Sequence, residues 1–259
     1  MEGGEALDLS GIAVRQGMGA LITRPREEAE SLSAALAARG IAAVIEPMML
    51  IDYRAAPSPD LAGVQAVLCT SANGVRALAR LTGERGLPLF AVGDATAARA
   101  RAEGFTAVAS AGGAVTDLVR LAVAELRPHD GRLLHIAGDV VAGDLAGALR
   151  AHGFAIERRV LYEARPVGAL STPAVSALRR GMIDFALFFS PRSAAIFVRL
   201  AGIADVAGCC RMITTLAISA AVDAVLADLP WRDRRVAESP NQPSLLAALD
   251  AALAERRQA

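Results

Sequence analysis

Two short loops rich in hydroxyl groups are the first places in the sequence where chemistry could occur. Residues 70–74 (TSANG) and 190–193 (SPRS) each stand between an apolar run of strand length and a helix-like segment. A helix N-cap explains either loop by itself, but hydroxyl and amide groups could also donate hydrogen bonds to the carboxylates of a ligand. Because such a loop occurs twice, at equivalent places in the sequence, we favour a binding role. The candidate side chains are those of Ser71, Asn73, Ser190, Arg192 and Ser193.

Two further strand-to-helix junctions carry residues that could contact a ligand. Arg24, between Thr23 and Pro25, opens the first predicted helix, where unbonded backbone N–H groups attract anions. The alternative is that Thr23 caps this helix and Arg24 pairs with a nearby glutamate. In the segment 92–96 (VGDAT), Gly93 would let a ligand approach the backbone closely, and Thr96 adds a hydroxyl group.

Tyr162 is one of only two tyrosines and lies in the extended-looking run 158–166 (RRVLYEARP). Its phenol could donate a proton in a reaction. Composition alone favours a packing role instead, with the ring filling a hinge between domains.

Several classes of function are excluded by composition and by missing motifs. Every basic residue is an arginine, so Schiff-base lysines and the lysine of a phosphate-binding loop are absent. Basic and acidic residues balance at 27 each, without a basic block, which argues against nucleic-acid binding. Zinc-hydrolase, dinucleotide and serine-hydrolase motifs are missing, and the three histidines lack metal-ligand spacing, so no metal is expected.

The same sequence predicts a cytoplasmic protein that does not bind or cross membranes. Its apolar runs are shorter than the ~20 residues of a membrane-spanning helix, and its beginning does not resemble a secretory signal. The three cysteines form no C-x-x-C motif, which suits a reducing compartment.

Internal similarity predicts the fold. Residues 21–41 align with 134–154, and the loop at Ser71 then corresponds to the loop at Ser190. Apolar strand-length runs alternate with helices such as 27–39 and 115–126. We therefore predict an α/β protein of two flavodoxin-like (Rossmann-type) parallel-sheet domains, internally duplicated and joined by a two-stranded β linker.

The predicted domains have definite boundaries. The first is discontinuous and comprises residues 18–46 plus 167–259, the second comprises residues 50–162, and the linkers are about 46–54 and 158–166. Ligands of such sheets bind beyond the carboxyl ends of the strands, so the site is expected in a cleft built from strand-to-helix loops.

From Ala20 to Leu253 the chain resembles the uroporphyrinogen-III synthase family. The resemblance is carried, in order, by residues 23–25, 70–75, 92–97, 160–166 and 189–193. It implies a cyclising hydro-lyase that needs no cofactor and converts linear hydroxymethylbilane to uroporphyrinogen III, with inversion of ring D through a spiro-pyrrolenine and loss of water. It also implies a monomer that makes a transient contact with hydroxymethylbilane synthase.

The resemblance further assigns roles to individual residues. Tyr162 matches the tyrosine thought to assist departure of the hydroxyl group, and Ser71, Thr96 and Ser190 match positions that line the cleft. The chain departs from the family pattern at Ser219 and Val222, where many relatives have glycine and threonine. Ser219 could replace part of that contact.

A non-enzymatic alternative fits the same predicted architecture. Two α/β domains with a hinge also describe a small-molecule binding or sensor protein, which would bind its ligand without turnover. A nucleotide-dependent transferase is disfavoured because the phosphate-binding motifs are absent.

Overall fold

The computed structural model describes residues 17–140 and 143–258. These residues divide into two compact units, one of residues 17–50 and 166–258 and the other of residues 51–165. The strands in chain order are β1 (Met18–Ile22), β2 (Ile41–Ile45), β3 (Met49–Tyr53), β4 (Val64–Cys69), β5 (Leu89–Ala91), β6 (Val108–Ser110), β7 (Arg132–Gly138), β8 (Ile156–Pro166), β9 (Phe185–Phe188), β10 (Thr214–Ala217) and β11 (Asp233–Val236).

Nine α-helices in the described residues follow or separate these strands. They are α1 (Arg26–Ala37), α2 (Ala72–Leu81), α3 (Asp94–Ala102), α4 (Val115–Glu125), α5 (Leu145–Ala151), α6 (Thr172–Arg179), α7 (Pro191–Ile203), α8 (Ala220–Leu226) and α9 (Gln242–Gln258). A 3₁₀ helix, Ala207–Met212, lies between α7 and β10. None of the helices in the described part of the chain is long and apolar enough to cross a bilayer.

The discontinuous unit contains a five-stranded sheet in the order β11-β10-β9-β1-β2. All four pairings are parallel. The neighbouring strands β9, β1 and β2 carry no polar side chain, as expected for strands that are covered by helices on both faces. At the amino ends of the strands, the buried Asp184 accepts hydrogen bonds from the Gly19 backbone N–H at 3.0 Å and from Arg256 of α9 at 3.1 Å.

The continuous unit contains a six-stranded sheet in the order β3-β8-β7-β4-β5-β6. The pairings of β8, β7, β4, β5 and β6 are parallel. Alternate residues of β4 belong to different core clusters, with Val67 and Cys69 in one and Ala66 and Leu68 in the other. Helices therefore cover both faces of this sheet, and the predicted α/β class with parallel sheets is confirmed.

The two predicted linkers, about 46–54 and 158–166, contain the strands β3 and β8, which are neighbours at one edge of the six-stranded sheet. The pairing of β8 with β7 is interrupted by a register shift between Ala137 and Gly138, so that Ala137 lies opposite Val160 but Gly138 lies opposite Tyr162. Leu161 is the extra residue of this β-bulge. Its backbone oxygen accepts a hydrogen bond from the Arg54 N–H at 2.9 Å.

Candidate functional site

Tyr162 is placed by the β-bulge at the carboxyl end of the β7–β8 pair. Leu161 and Tyr162 are consecutive, yet both are buried in the same core cluster, which a regular strand with alternating side chains would not allow. Bulges commonly redirect a side chain in this way next to active sites. The bulge thus gives Tyr162 its position opposite Gly138.

The phenol ring of Tyr162 packs directly on Gly138. A Cβ atom added at position 138 would lie 2.8 Å from Cζ of Tyr162 and 3.1 Å from its hydroxyl oxygen. These distances are shorter than carbon–carbon contacts allow. Glycine is therefore required at position 138 for Tyr162 to occupy its observed position.

Ser71 links Tyr162 to the amino end of α2. The Ser71 side chain lies beside the Tyr162 phenol and acts to lower its pKa. Its Oγ atom also accepts a hydrogen bond from the Asn73 backbone N–H at 3.0 Å, as an N-cap. One serine therefore caps the helix and lies beside the phenol.

The pKa of Tyr162 is raised above the ordinary value of a tyrosine. Burial is the largest cause, the hydrogen bond with Ser71 opposes it, and the nearby Cys69 and Asp139 add to it. Burial disfavours the charged phenolate, and a neighbouring negative charge does the same. The phenol therefore keeps its proton throughout the neutral pH range.

Asn73 is buried and is oriented by a second buried side chain, Arg76. The Arg76 Nη1 atom donates to Oδ1 of Asn73 at 2.8 Å, and both residues are less than 10% exposed. A guanidinium has only donors, so the amide oxygen must face it. The Asn73 NH₂ group, a donor suited to a carboxylate, is consequently directed away from Arg76.

Gly93 and Thr96 lie one strand farther along the same carboxyl edge, after β5. Gly93 precedes α3 as its N-cap, and Thr96 is buried inside the first turn. A Cβ atom at position 93 would lie 3.2 Å from the Cα atom of Gly113 in the loop after β6. Close packing of two loops therefore accounts for the glycine, independently of any ligand.

Arg24 lies in the other unit, where the loop after β1 meets the loop after β9. Its guanidinium is paired with Glu28 at 2.7 Å, donates to Gln242 at 3.1 Å and stacks over the Phe189 ring at 4.4 Å. The glutamate pairing considered for this residue is thus present. Since the side chain remains about 20% exposed, one face of the guanidinium can still meet solvent or a ligand.

The expected capping role of Thr23 is wrong. The N-cap of α1 is Pro25, without a side-chain hydrogen bond. Thr23 is buried and its hydroxyl donates to the Leu187 backbone oxygen at 2.7 Å, tying β1 to β9. A buried hydroxyl needs a partner, and here a neighbouring strand supplies it.

The remaining candidates lie at the same sheet edge as Arg24. Ser190 caps α7 by accepting from the Ser193 N–H at 3.1 Å, and its own hydroxyl donates to Oγ of Ser193 at 3.0 Å. Arg192 is exposed at the start of that helix. Ser219 precedes α8 without a side-chain capping bond, so its hydroxyl is not used by the helix.

The structure thus brings the candidates together in two groups, one in each unit. In the first, Ser71 lies beside Tyr162 and accepts from the Asn73 N–H, and Gly93 and Thr96 follow in the next loop. The second group contains Arg24, Ser190, Arg192, Ser193 and Ser219. Within the described residues, no group of histidine, cysteine, aspartate and glutamate side chains is arranged to hold a metal ion.

Sequence reasoning assigned no role to Arg76, Arg158 or His135, which contact the strands and the loop around the first group. Arg76 orients Asn73, and Arg158 contacts the backbone beneath Tyr162. His135 of β7 is 3% exposed, with Nε2 3.5 Å from Oγ1 of Thr70; burial and then the charge of Arg158 lower its pKa to about 4. The i, i+3 spacing of Asn73 and Arg76 was the only sequence signal for any of these contacts.

Comparison with known proteins gives one consistent answer. The family model described as uroporphyrinogen-III synthase HemD matches residues 30–247. A mutant uroporphyrinogen III synthase from Thermus thermophilus is 19% identical, with 92% of this chain and 100% of that chain covered and a TM-score of 0.52. The uroporphyrinogen-III synthetase of Helicobacter pylori is 16% identical, with coverages of 91% and 99% and a TM-score of 0.58.

At these identities, the two solved structures establish the fold. No curated protein sequence matches the chain. The family model, however, spans well over half of the 259 residues. The chain therefore belongs to the uroporphyrinogen-III synthase family.

Proposed function

We propose that this chain is a lyase that converts hydroxymethylbilane to uroporphyrinogen III, with Tyr162 as the group that assists departure of the hydroxyl. The observation that carries this proposal is a buried phenol that a β-bulge places beside Ser71, at the carboxyl edge of a parallel sheet, and whose raised pKa keeps it protonated. Family membership supports the substrate and the reaction, and the geometry supports the role of the tyrosine.

The hydrogen bonds around Ser71 determine where the proton of Tyr162 is directed. Because Oγ of Ser71 already accepts from the Asn73 N–H, its own proton is best placed to donate to the Tyr162 oxygen. The phenol proton then points away from Ser71, toward the hydroxymethyl group of ring A. Its transfer to that hydroxyl releases water and leaves an azafulvene cation on the bilane.

The following steps need positioning more than acid–base chemistry. The cation attacks ring D at its substituted carbon to form a spiro-pyrrolenine, which fragments and closes again with ring D inverted. The catalyst must hold the reactive chain in one conformation and prevent direct closure without inversion. No step in this sequence calls for a cofactor.

The carboxylates of the substrate would be held by several weak donors. The Asn73 NH₂ group in one unit, and Arg24, Arg192 and Ser219 in the other, supply such donors, and the N-termini of α2 and α7 add unbonded backbone N–H groups. Further candidate donors are the Thr96 hydroxyl and the Gly93 backbone in the continuous unit, and the Ser190 and Ser193 hydroxyls in the discontinuous unit.

We also propose that the two sheets descend from one duplicated flavodoxin-like unit. When β1 is matched with β7, the orders β11-β10-β9-β1-β2 and β6-β5-β4-β7-β8 correspond strand by strand. Gly40 and Gly153, which the sequence alignment pairs, both have positive φ angles, of +73° and +85°. The assignment of residues 18–46 plus 167–259 and 50–162 to two domains, with β3 and β8 as linkers, is part of this proposal.

The remaining expectations from the resemblance are a monomer, a cytoplasmic location and a transient contact with hydroxymethylbilane synthase. Size-exclusion chromatography with light scattering tests the first, and mixing the two purified enzymes tests the last. The non-enzymatic binding or sensor protein considered as an alternative is not favoured by the family match.

The decisive experiment separates isomers. Freshly generated hydroxymethylbilane is incubated with the purified, metal-free protein, the products are oxidised, and type I and type III uroporphyrins are separated by chromatography. We expect type III to dominate. Type I alone, as in a protein-free control, would reject the proposed reaction and favour the binding alternative.

A further inference from the structure

The guanidinium of Arg158 binds the backbone segment against which the Tyr162 ring packs. Nη2 of Arg158 donates to the backbone oxygen of Gly138 at 2.8 Å and to that of Asp139 at 2.9 Å. Gly138 is the last residue of β7, and Asp139 follows it directly. Arg158 is 20 and 19 residues away from them in sequence, so the contact is a product of the fold.

The backbone of Arg158 precedes the β-bulge, and its side chain extends to the carboxyl end of β7. Its Cα atom lies opposite His135, before the register shift, whereas Tyr162 lies opposite Gly138, after it. The side chain therefore spans the bulge. A third hydrogen bond, from the Asp139 N–H to the Tyr162 backbone oxygen at 3.1 Å, joins the same segment to β8.

The Tyr162 ring packs tightly against the backbone at Gly138. The ring is so close to Gly138 that a single Cβ atom there would collide with it. A shift of the Gly138 backbone would therefore move the phenol, and a loosened backbone would let the ring turn away from Ser71. Displacements of this size are enough to reduce turnover severely at a positioned catalytic group.

We propose that Arg158 is a positioning residue, which holds the Gly138 and Asp139 carbonyl groups and thereby fixes the Tyr162 phenol against Ser71. Its effect on turnover rests on the proposed function, whereas its effect on the position of the phenol does not. Arg158 acts through the backbone and does not touch the reacting atoms.

The titration of Tyr162 reports its position without any substrate. The groups that set its pKa are Ser71, Cys69, Asp139 and the Gly138 backbone, together with burial, and Arg158 is not among them. Removing the charge of Arg158 does not lower the pKa of a correctly placed phenol, because the loss of a nearby cation can only disfavour the phenolate. A phenol that is released toward solvent instead loses the effect of burial, and its pKa falls toward the ordinary value of about 10.

The chain offers a clean background for this measurement, because Tyr53 and Tyr162 are its only tyrosines. In a Tyr53→Phe protein, phenolate absorbance followed against pH reports Tyr162 alone. We expect Arg158→Gln to lower the titration midpoint. The matched control is Arg159→Gln on the same strand, whose guanidinium pairs with Glu157 at 3.6 Å and should leave the midpoint unchanged. Circular dichroism at each pH verifies that the proteins are folded.

Kinetics with Tyr53 present give the second readout. We expect Arg158→Gln to lower kcat for type III formation about tenfold with an unchanged KM, and Arg158→Lys to restore part of it. In a Tyr162→Phe background, Arg158→Gln should cause no further loss, because the group that it positions is gone.

Three outcomes would overturn the proposal. They are an unchanged or raised midpoint in folded Arg158→Gln, an equal loss of kcat in the Tyr162→Phe background, and a raised KM with unaltered kcat, which would make Arg158 a substrate contact. If the wild-type protein forms no type III product, the proposed function fails, while the titration still decides whether Arg158 positions the phenol.

Discussion

The two sheet edges differ in how their polar side chains are held. In the continuous unit, Tyr162, Asn73 and Arg76 are buried; Arg76 donates to Asn73, and Tyr162 lies beside Ser71. In the discontinuous unit, Arg192 is exposed and Arg24 keeps part of its guanidinium in solvent. Burial fixes geometry and shifts a pKa, whereas exposed cations keep their hydration and contribute weak contacts.

This difference indicates that the two units contribute to different kinetic constants. A buried, preorganised group can lower a reaction barrier because it does not need to reorganise during the reaction. An exposed arginine adds affinity for a carboxylate but little to the chemical step. We therefore expect variants of the continuous unit to change kcat and variants of the discontinuous unit to change KM.

The strongest test of this difference is Tyr162→Phe. We expect kcat to fall by on the order of 100-fold, because the proton donor is lost while the ring and its packing on Gly138 remain. Thermal unfolding should change little. The control is Tyr53→Phe, and an unaltered rate in folded Tyr162→Phe protein would reject the acid assignment.

A second test concerns acid stability, which we expect to be limited by the continuous unit. All three histidines lie in residues 51–165, and only His135 is buried there. Its pKa is lowered to about 4, first by burial and then by Arg158, so the fold favours its neutral form. This stabilisation is fully present above pH 6.5 and is lost as the pH falls toward 4.

The shift of His135 corresponds to about 3 kcal/mol of unfolding free energy lost across that pH range. Urea unfolding at pH 7 and at pH 4 measures the loss. His135→Leu should reduce it, whereas His129→Leu, at an exposed position, should not. An equal acid sensitivity in all three proteins would contradict the expectation.

Gly138→Ala, also in the continuous unit, should reduce kcat less than Tyr162→Phe does. The added methyl group would lie 2.8 Å from the Tyr162 ring and must displace it. We expect kcat to fall about tenfold, together with a stability loss of about 1–3 kcal/mol from overpacking. Gly168→Ala serves as the control, since a Cβ atom there meets nothing within 4 Å.

The smallest effects are expected at the edge of the discontinuous unit. Arg24→Ala and Arg192→Ala should each raise KM about threefold and leave kcat nearly unchanged, as for exposed charge-assisted contacts. Arg26→Ala in α1 and Arg199→Ala in α7, both exposed, are the matched controls. If neither variant changes KM, the proposed carboxylate contacts are wrong.

Local sequence signals predicted the elements well. The helices expected at 27–39 and 115–126 were found at Arg26–Ala37 and Val115–Glu125, because apolar periodicity acts over a few neighbouring positions. The polar loops after β4 and β9 were likewise recognisable, since N-cap side chains bond within their own first turn.

Contacts between distant segments could not be predicted in this way. The hydroxyl of Thr23 bonds to Leu187, 164 residues away, and the capping preference of threonine gave the wrong partner. The bulge that places Tyr162 opposite Gly138 depends on the register of two strands. Arg158 reaches Gly138 only because of that register, so its contact with the Gly138 backbone oxygen could not be predicted from the sequence.

The discontinuity of one unit has a consequence for the order in which the chain folds. Residues 51–165 form a continuous segment, so all of its strands can pair soon after they are synthesised. The other sheet must join β1 to β9, and the bond between Gly19 and Asp184 closes a loop of 165 residues. Since distant pairings form slowly, we expect the unit that carries Tyr162 to fold first. The strands β1 and β2 would be incorporated into their sheet only after β9 has been synthesised.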